Sequence, residues 1–487
     1  MTGNSILSRF QALCRQFGPG SHRAENRLLD LHTAWQHPEQ LPKAGFENPV
    51  VGRILDLLGP LDWAHFPERD LGRRWCQPAV PYAAFAAAML VKLNEGLNSM
   101  ADLRRYLAEH PGLIPLLGFS VTHFGGSQPQ GGLPTQRHLT RMLREIPNTA
   151  LQFLLDDSAH LICDELQKVG IRAGDCVSLD TKHILAWVKE NNPKAYVENR
   201  FDKKQQPRGD PDCKLGCKRK HNRQVASPDR PATPSTNPLP ANLVAVGEYH
   251  WGYGSGVVAV KVPDFGEFIL AELTQPFNQP DLSYFLPLMR KTEQVLGFKP
   301  RWGTFDAAFD AWYVYDYFHR PDDPDAFAAV PFSEKGGYKA GGRSFSPDGL
   351  PICQAGLPMP LLFTFTDRTT SLVEHERGKY GCPLSPASDC PIHHKNAAEK
   401  GCTAMMPTSP GARLRYTLDR KSETYKAIYR QRTAVERINS QAVALGIECP
   451  HLRNGDAIAN VNTLIYTLIN LRVLQRIRQK LANSAQP

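Results

Sequence analysis

The sequence predicts an α/β protein in which a mixed sheet is flanked by helices and preceded by an all-helical domain. Two observations indicate this class. Up to about residue 170, apolar residues recur at helical spacing, whereas from Cys176 onward short β-branched or alternating apolar runs take over. A chain of 487 residues also exceeds what one hydrophobic core usually supports, so at least two structural units are expected.

The composition restricts the class of protein and of partner. The chain is 41% hydrophobic, as folded soluble proteins are, and its 57 lysines and arginines outnumber 48 acidic residues, giving a net charge of +9 that favours an anionic partner. Residues 1–10 and those after them lack the apolar run of a secretory signal, and eleven scattered cysteines do not resemble a disulfide framework. We therefore expect a cytoplasmic protein.

Three helices stand out in the predicted helical region. Residues 82–93 are rich in Ala, Leu and Met, and Ser99-Met-Ala-Asp102 has the pattern of a capping box that starts the next helix. Thr135 caps a third helix, which carries a basic stripe near one face. The stripe can lie along DNA, or it can be an ordinary solvated face; its members are Arg137, Arg141 and Arg144.

The sheet is predicted from the order of the elements after Cys176. Strands are expected at residues 176–187, 256–260 and 267–273, followed by a helix at 281–296, a strand at 301–305, a helix at 310–318 and a strand at 326–332. This is the element order of a ribonuclease H-like core. The late apolar stretch 458–474 is interrupted by asparagines and an arginine, so we expect a core helix there and not a membrane span.

Two insertions interrupt this order. The first, residues 203–241, holds the basic run Lys218-Arg219-Lys220 and then five prolines, a composition typical of an extended or mobile loop. The second, residues 333–413, is rich in cysteine and histidine. Within it Cys390-Pro-Ile-His393 has a spacing that zinc sites use, and an equally good interpretation is a loop of free cysteines and surface histidines. The candidate Zn²⁺ ligands are Cys382, Cys390, His393 and Cys402.

Three acidic residues are the candidate catalytic groups and metal ligands. Asp180 closes the apolar run that begins at Cys176, Asp306 follows another predicted strand, and Glu436 lies on a predicted helix. Together they offer the hard oxygen ligands that Mg²⁺ or Mn²⁺ prefers. Two such ions can activate a water or a 3′ hydroxyl and stabilise the leaving oxygen in a displacement at phosphorus.

Two further residues accompany Glu436. Tyr429, Arg432 and Glu436 are separated by three and four positions, which places them on one face of a helix. Arg432 can hold a DNA phosphate beside the metals, and Tyr429 can stack on a base or donate to the DNA backbone.

Each of these residues also has a simpler structural explanation. Asp180 can end a strand in a turn, Asp306 can cap the next helix, and Arg432 with Glu436 can form an ordinary i,i+4 ion pair. Their order on the expected elements favours the metal site over coincidence. The neighbouring acidic residues are expected to shape turns or helix starts; they are Asp175, Asp310 and Glu448.

These residues carry a resemblance to a known family. Tyr429, Arg432 and Glu436 reproduce the Tyr-x2-Arg-x3-Glu signature of bacterial insertion-sequence transposases of the DDE class, and Asp306-Ala-Ala-Phe309 is similar to the pattern around their second acid. Residues 91–99 resemble the N-terminal domain of the family, and residues 350–359 resemble a recurring piece of its insertion. The sequence departs from the pattern at Val443, where the family often has Lys or Arg.

The resemblance implies a DNA transposase with three parts. Residues 1–170 would form a helical DNA-binding domain, residues 171–332 and 414–487 the ribonuclease H-like catalytic domain, and residues 333–413 the insertion. Such an enzyme binds the terminal inverted repeats of its element in double-stranded DNA, exposes 3′ hydroxyls and joins them to target DNA as a synaptic homodimer at the bacterial nucleoid. Non-specific phosphate contacts would come from Lys218, Arg219 and Lys220.

Two other functions stay open at this point. Val443 is compatible with a catalytically inactive, transposase-derived DNA-binding protein. The acidic trio is also compatible with a metal-dependent hydrolase that cuts nucleic acid and never joins it.

Overall fold

A computed structural model of the chain describes residues 31, 34–37, 48–69, 80–119, 133–224, 243–333, 343–368, 372–384, 390–392 and 401–484, with residues 219–224 and 243–247 described by their backbone alone. Its N-terminal part is helical and surrounds one apolar core. The helices are α1 (Pro49–Leu58), α2 (Tyr82–Asn94), α3 (Met100–Glu109), α4 (Leu113–Leu116), α5 (Gln136–Glu145) and α6 (Asn148–Lys168).

The starts of these helices follow from local sequence. The predicted capping box is confirmed: Asp102 N–H donates to Ser99 Oγ over 3.1 Å, and Ser99 N–H donates to Asp102 Oδ2 over 3.0 Å. Thr135 caps α5 as expected, since its hydroxyl accepts from His138 N–H over 3.2 Å. Helix α2 is buried on every side from Ala83 to Val91, which explains why its sequence is apolar all round.

The second part is a six-stranded mixed sheet. Strands β4, β3 and β1 are antiparallel neighbours, and β1, β5 and β6 are parallel neighbours, while β2 pairs antiparallel with β3. The strands are β1 (Cys176–Leu185), β2 (Lys214–Gln224), β3 (Leu243–Val262), β4 (Gly266–Pro276), β5 (Trp302–Thr304) and β6 (Phe327–Ala329).

One prediction about this sheet was wrong. Residues 214–224, expected to be loop, form β2, and β3 begins at Leu243 instead of residue 256. The two strands pair from Lys214 with Gly252 to Gln224 with Leu243, so each satisfies the backbone of the other. The remainder of the predicted loop, residues 225–242, lies outside the described residues.

Glycines allow β3 to pack closely on both sides. A Cβ at Gly252 would lie 1.9 Å from the carbonyl oxygen of Ile184 in β1, and one at Gly256 would lie 2.5 Å from the ring of Tyr284. The glycine-rich run at residues 252–256 is therefore the place where β3 meets β1 and the helix that carries Tyr284.

Six helices follow the first strands and complete the core. Phe285, Phe305 and Phe318 are fully buried between the sheet and the helices that cover it. The helices are α7 (Leu282–Leu296), α8 (Trp312–Phe318), α9 (Pro410–Thr417), α10 (Glu423–Tyr429), α11 (Thr433–Ala444) and α12 (Gly455–Ser484).

Helix α12 joins the helical part to the sheet. Its asparagines reach both sides: Asn460 donates to the carbonyls of Leu143 and Ile146, each over 2.8 Å, and Asn470 exchanges two hydrogen bonds with the backbone of Ile269 in β4. It is the one helix in the described chain that is long and apolar enough to cross a membrane, and 83% of its apolar window is buried inside the protein. The predicted core helix is confirmed.

The second insertion forms a small sheet of its own. Strands β7 (Leu361–Asp367), β8 (His375–Gly381) and β9 (Thr403–Pro407) pair antiparallel in that order. The core beneath them is small, consisting of Met359, Tyr380, Met406 and Ala412 with a few partly buried neighbours.

Candidate active site

Asp180 and Asp306 lie side by side at the edge where β1 and β5 meet. Ser178 of β1 is the register partner of Thr304 of β5, and their hydroxyl oxygens are hydrogen bonded at 2.7 Å. Each aspartate follows a member of this pair by two residues, so both point to the same face of the sheet. The parallel pairing therefore brings two carboxylates from distant parts of the sequence together.

The third carboxylate approaches this edge from α11. Ser178 Oγ donates to the carbonyl of Gln431 over 3.1 Å, which fixes the chain before α11 against β1. The prediction of one continuous helix through Tyr429 and Glu436 was wrong, because residues Arg430–Arg432 form a 3₁₀ turn between α10 and α11. The turn lies on β1 itself, so the sheet edge sets its conformation.

Arg432 lies between the carboxylates. Its Nη1 is 2.6 Å from Oε1 of Glu436, and its Nη2 is 3.9 Å from Oδ2 of Asp180. The ordinary i,i+4 ion pair is thus present, and the same guanidinium also faces the first aspartate. Its Nε is buried with no hydrogen-bond partner among the described residues. A positive group therefore stands where a divalent cation would be attracted.

The electrostatics of Asp180 reflect this crowding. Burial raises the pKa of its carboxyl to about 6, with a further upward contribution from the charge of Asp306, and Arg432 opposes both. Tyr429 is half-buried next to the same charges: burial raises the pKa of its phenol, Arg432 lowers it, and Asp306 and Glu436 raise it. The five predicted residues therefore share one electrostatic environment.

Asp306 also caps a helical turn, the simpler structural role considered for it in the sequence. Its Oδ1 accepts from Ala308 N–H over 2.8 Å and caps the short 3₁₀ turn Ala307–Phe309. This hydrogen bond uses one carboxylate oxygen and orients the side chain, so a cap and a metal ligand are compatible roles for one residue.

Asn439 belongs to the site and was missed in the sequence. Its Nδ2 donates to Oδ2 of Asp180 over 3.1 Å, while its own Oδ1 is buried with no partner among the described residues. Asn439 lies three residues after Glu436 and seven after Arg432, the spacing of one helical face, and this spacing was the available signal.

The neighbouring acidic residues have other partners. Asp310 accepts two hydrogen bonds from Arg415, at 2.8 and 2.6 Å, and Glu448 is paired with Lys182 at 2.6 Å. Asp175 lies 3.7 Å from Arg172. These side chains are thus held by ion pairs, and the N-cap of α8 is Ala311 instead of the expected Asp310.

The donor chemistry of the site suits Mg²⁺ or Mn²⁺. Asp180 and Glu436 face the Arg432 guanidinium, and Asp306 adds its charge beside Asp180, so the site has an excess of negative charge made of the oxygen ligands that these ions prefer. Within the described ranges no group of three or more His, Cys, Asp or Glu side chains is already positioned to hold a metal ion, so Glu436 would have to leave Arg432 for ions to bind.

The other predicted contact residues lie at several places on the surface. Lys218 is exposed on β2; Arg219 and Lys220 follow it on the same strand, and their side chains lie outside the described residues. The basic stripe of α5 is exposed, with Arg141 paired to Glu145 at 3.2 Å. Of the candidate zinc ligands, Cys382, Cys390 and Cys402 are described and His393 is not.

Comparison with known proteins adds no assignment to this geometry. No known protein family matches the chain, and no curated protein matches it either.

Proposed function

We propose that this protein is a DNA transposase of the DDE class, which cleaves DNA strands at the ends of an insertion sequence and joins them to target DNA. One observation carries the proposal: Asp180 and Asp306 are adjacent at the sheet edge, and Arg432 connects Asp180 to Glu436. Carboxylates held together despite their mutual repulsion are costly without a cation, which favours a functional origin for the cluster.

The topology supports the proposal. A ribonuclease H-like core has three antiparallel strands followed by parallel ones, and the path β4–β3–β1–β5–β6 has this order. The first acid then lies on the first strand, the second follows the neighbouring parallel strand, and the third is on a helix beside them. We assign the core to this class on that basis.

Each residue of the site has a proposed role. Asp180, Asp306 and Glu436 would hold two Mg²⁺ or Mn²⁺ ions, which when bound neutralise charge and activate a water or 3′ hydroxyl at phosphorus. Asn439 orients the carboxylate of Asp180 through its amide. Once Glu436 turns to the metals, Arg432 is released to bind a DNA phosphate through its planar guanidinium.

A surface that suits nucleic acid lies along the strands leading away from the site. Trp187, just past β1, is 52% exposed, and Tyr249 of β3 is 51% exposed opposite Cys217 of β2, while the exposed Lys218 follows on the other face of that strand. Exposed aromatic rings stack on bases, and lysines bind phosphates. We propose that DNA crosses this surface, that the helical N-terminal part recognises the terminal repeats, and that two copies synapse the two ends.

The decisive experiment is cleavage of DNA that carries the flanks of this gene, in Mg²⁺ or Mn²⁺, by the native protein and by Asp306→Asn and Glu436→Gln. The matched control is Glu423→Gln, which removes a carboxylate from an 84% exposed side chain of α10. We expect cleavage at a repeat boundary by the native protein and the control, and none by the two site variants. Transfer of a labelled 3′ end into a second duplex separates a transposase from a hydrolase that only cuts.

The same experiment tests the alternative function. Val443, the departure from the family pattern, is 37% exposed on α11 and offers no positive charge to DNA. Binding to the repeats without cleavage, unchanged in both site variants, would support a catalytically inactive, transposase-derived DNA-binding protein instead.

A further inference from the structure

Four cysteines of the insertion gather at one end of its small sheet. The strand β8 ends at Gly381 and β9 begins at Thr403, and these two residues are register partners. Cys382 follows the first and Cys402 precedes the second, so the antiparallel register places the two cysteines opposite each other.

The third cysteine reaches the same place through a tight turn. Gly356 N–H donates to the carbonyl of Cys353 over 3.0 Å, Cys353 N–H donates to the carbonyl of Leu357 over 2.9 Å, and Gly356 has a φ of +78°. Gly381 N–H donates to the carbonyl of Pro360 over 3.0 Å, which ties the chain after this turn to the end of β8. Cys353 and Cys402 pack on the same small apolar cluster.

The fourth cysteine lies in the connection between β8 and β9, and its side chain is buried. Cys390 is only 6% exposed although it lies in a connection between β8 and β9. The paired strand ends, the shared packing of Cys353 and Cys402, and the buried position of Cys390 in the connection point to one common site.

We propose that Cys353, Cys382, Cys390 and Cys402 bind one structural Zn²⁺ ion through four thiolates. Zinc in structural sites is tetrahedral and accepts four sulfur ligands, and each thiol releases its proton to solvent when it binds. The proposal replaces His393 with Cys353 as a ligand. It does not rest on the transposase assignment.

The size of the insertion explains why a metal is needed there. Four buried residues, Met359, Tyr380, Met406 and Ala412, form its cluster, which is too small to stabilise three strands by burial alone. In the described part of the chain no group of three ligand side chains is positioned for a metal, so zinc binding would draw the thiols together by side-chain rotation.

The test is zinc content of the full-length protein, purified in reducing buffer without added chelator, together with thiol counting under denaturing conditions. We expect about one zinc per chain in the native protein and less than about a tenth of that in Cys353→Ser and Cys382→Ser. Cys217→Ser, which changes an exposed cysteine of β2, and His393→Ala should both retain zinc. Zinc retained in Cys353→Ser and lost in His393→Ala would overturn the ligand assignment.

Two further measurements guard against variants that fail to fold. Cys353→His, whose imidazole can also ligate zinc, should retain the metal and shift the absorption spectrum of the Co²⁺-substituted protein by loss of one thiolate ligand. A chelator should lower the melting temperature of the native protein and leave that of Cys382→Ser unchanged. Native protein that is folded, zinc-free and crosslinked by a disulfide between Cys382 and Cys402 would overturn the proposal.

Discussion

Asn439 donates a hydrogen bond from its amide to Oδ2 of Asp180, across 3.1 Å, from the helix that also carries Glu436. The contact couples the first and third carboxylates of the site through the packing of α11 on β1. A charged side chain substituted at position 439 would therefore act directly on the ionisation of Asp180.

Replacing this amide with a carboxylate gives the first prediction. In Asn439→Asp, a second negative charge near Asp180 raises the pKa of Asp180 further, so the acid limb of Mg²⁺-dependent cleavage should move up by roughly 1 pH unit. The measurement is the cleavage rate between pH 5 and 9. Ser440→Asp, on the exposed side of the same helix, is the charge-matched control and should leave the profile in place. An unshifted profile in Asn439→Asp would contradict the coupling.

The second prediction concerns stability without metal. Folding raises the pKa of Asp180 to about 6, so its contribution to the free energy of unfolding is present below the unfolded pKa of about 4 and is lost as pH rises through about 6. Asn at position 180 stays neutral at every pH. The change in the free energy of unfolding that Asp180→Asn causes in the metal-free protein should therefore be about 2 kcal/mol more stabilising at pH 8 than at pH 4. Urea unfolding at both pH values measures this.

The metal response supplies the control for that experiment. Mg²⁺ should raise the urea midpoint of the native protein at pH 8, because the ions bind only the folded site, and should raise that of Asp180→Asn much less. Equal stabilisation of both proteins by Mg²⁺ would place the ions elsewhere.

Arg432 gives the third prediction, since it competes with metal for the carboxylates. At pH 8, where Asp180 is ionised, Arg432→Gln should bind Mg²⁺ roughly threefold to tenfold more tightly in the absence of DNA, because the competing positive charge is gone. The same variant should bind DNA more weakly. Calorimetric Mg²⁺ titration and DNA-binding assays measure the two effects, with Arg437→Gln, an arginine paired to Glu267, as the matched control.

The fourth prediction concerns His183, which is partly buried, and His250, which is buried; both rings contact Phe277. Burial lowers the pKa of both His183 and His250 to about 4, with Lys218 adding to the effect on each. Their neutral forms therefore contribute stability that is present above the unfolded pKa of about 6.5 and is lost as pH falls toward 4. In His250→Phe the free energy of unfolding that is lost as the pH falls should be smaller by about 2 kcal/mol. His65→Phe, at an exposed histidine, should not change it.

The fifth prediction tests the close contact between β3 and β1. In Gly252→Ala the new methyl group meets the carbonyl of Ile184 at 1.9 Å, so the strands must separate and the free energy of unfolding should fall by about 3 kcal/mol or more. Gly52→Ala is the matched control: nothing lies within 4 Å of its added Cβ on α1, and alanine favours a helix by about 1 kcal/mol. Thermal unfolding of both variants separates the destabilisation caused by the steric clash from the effect of replacing a glycine as such.

The sequence was sufficient where local chemistry determines the structure. Ser99 and Asp102 form a capping box whatever the rest of the chain does, and the first half of β1, up to Asp180, is apolar enough to be recognised alone. The strand β2 was missed because its sequence is polar and basic, and only pairing with β3 makes it a strand. β-Structure depends on partners far away in the chain, which no local pattern contains.

For the candidate site as well, local sequence patterns select residues, whereas the contacts between those residues depend on the fold. Asp180, Asp306 and Glu436 were identified because each has a local signature, but the side-by-side placement of the aspartates depends on the parallel register of β1 and β5. The hydrogen bond from Asn439 and the packing of Cys353 and Cys402 on one apolar cluster likewise depend on tertiary contacts. A sequence presents such residues as ordinary, because their partners are fixed only when the chain has folded.

Helix α12 has a consequence for how the protein is made. Ala457, Leu464, Leu468 and Leu471 pack into the core of the N-terminal helices, and Val473, Leu474 and Ile477 pack against the sheet. A ribosome that has not yet synthesised this helix therefore carries two unfinished cores, each with exposed apolar surface. Chains stopped before Gly455 should be degraded or aggregate, so neither the helical N-terminal part nor the acidic site acquires its structure until synthesis has passed this helix.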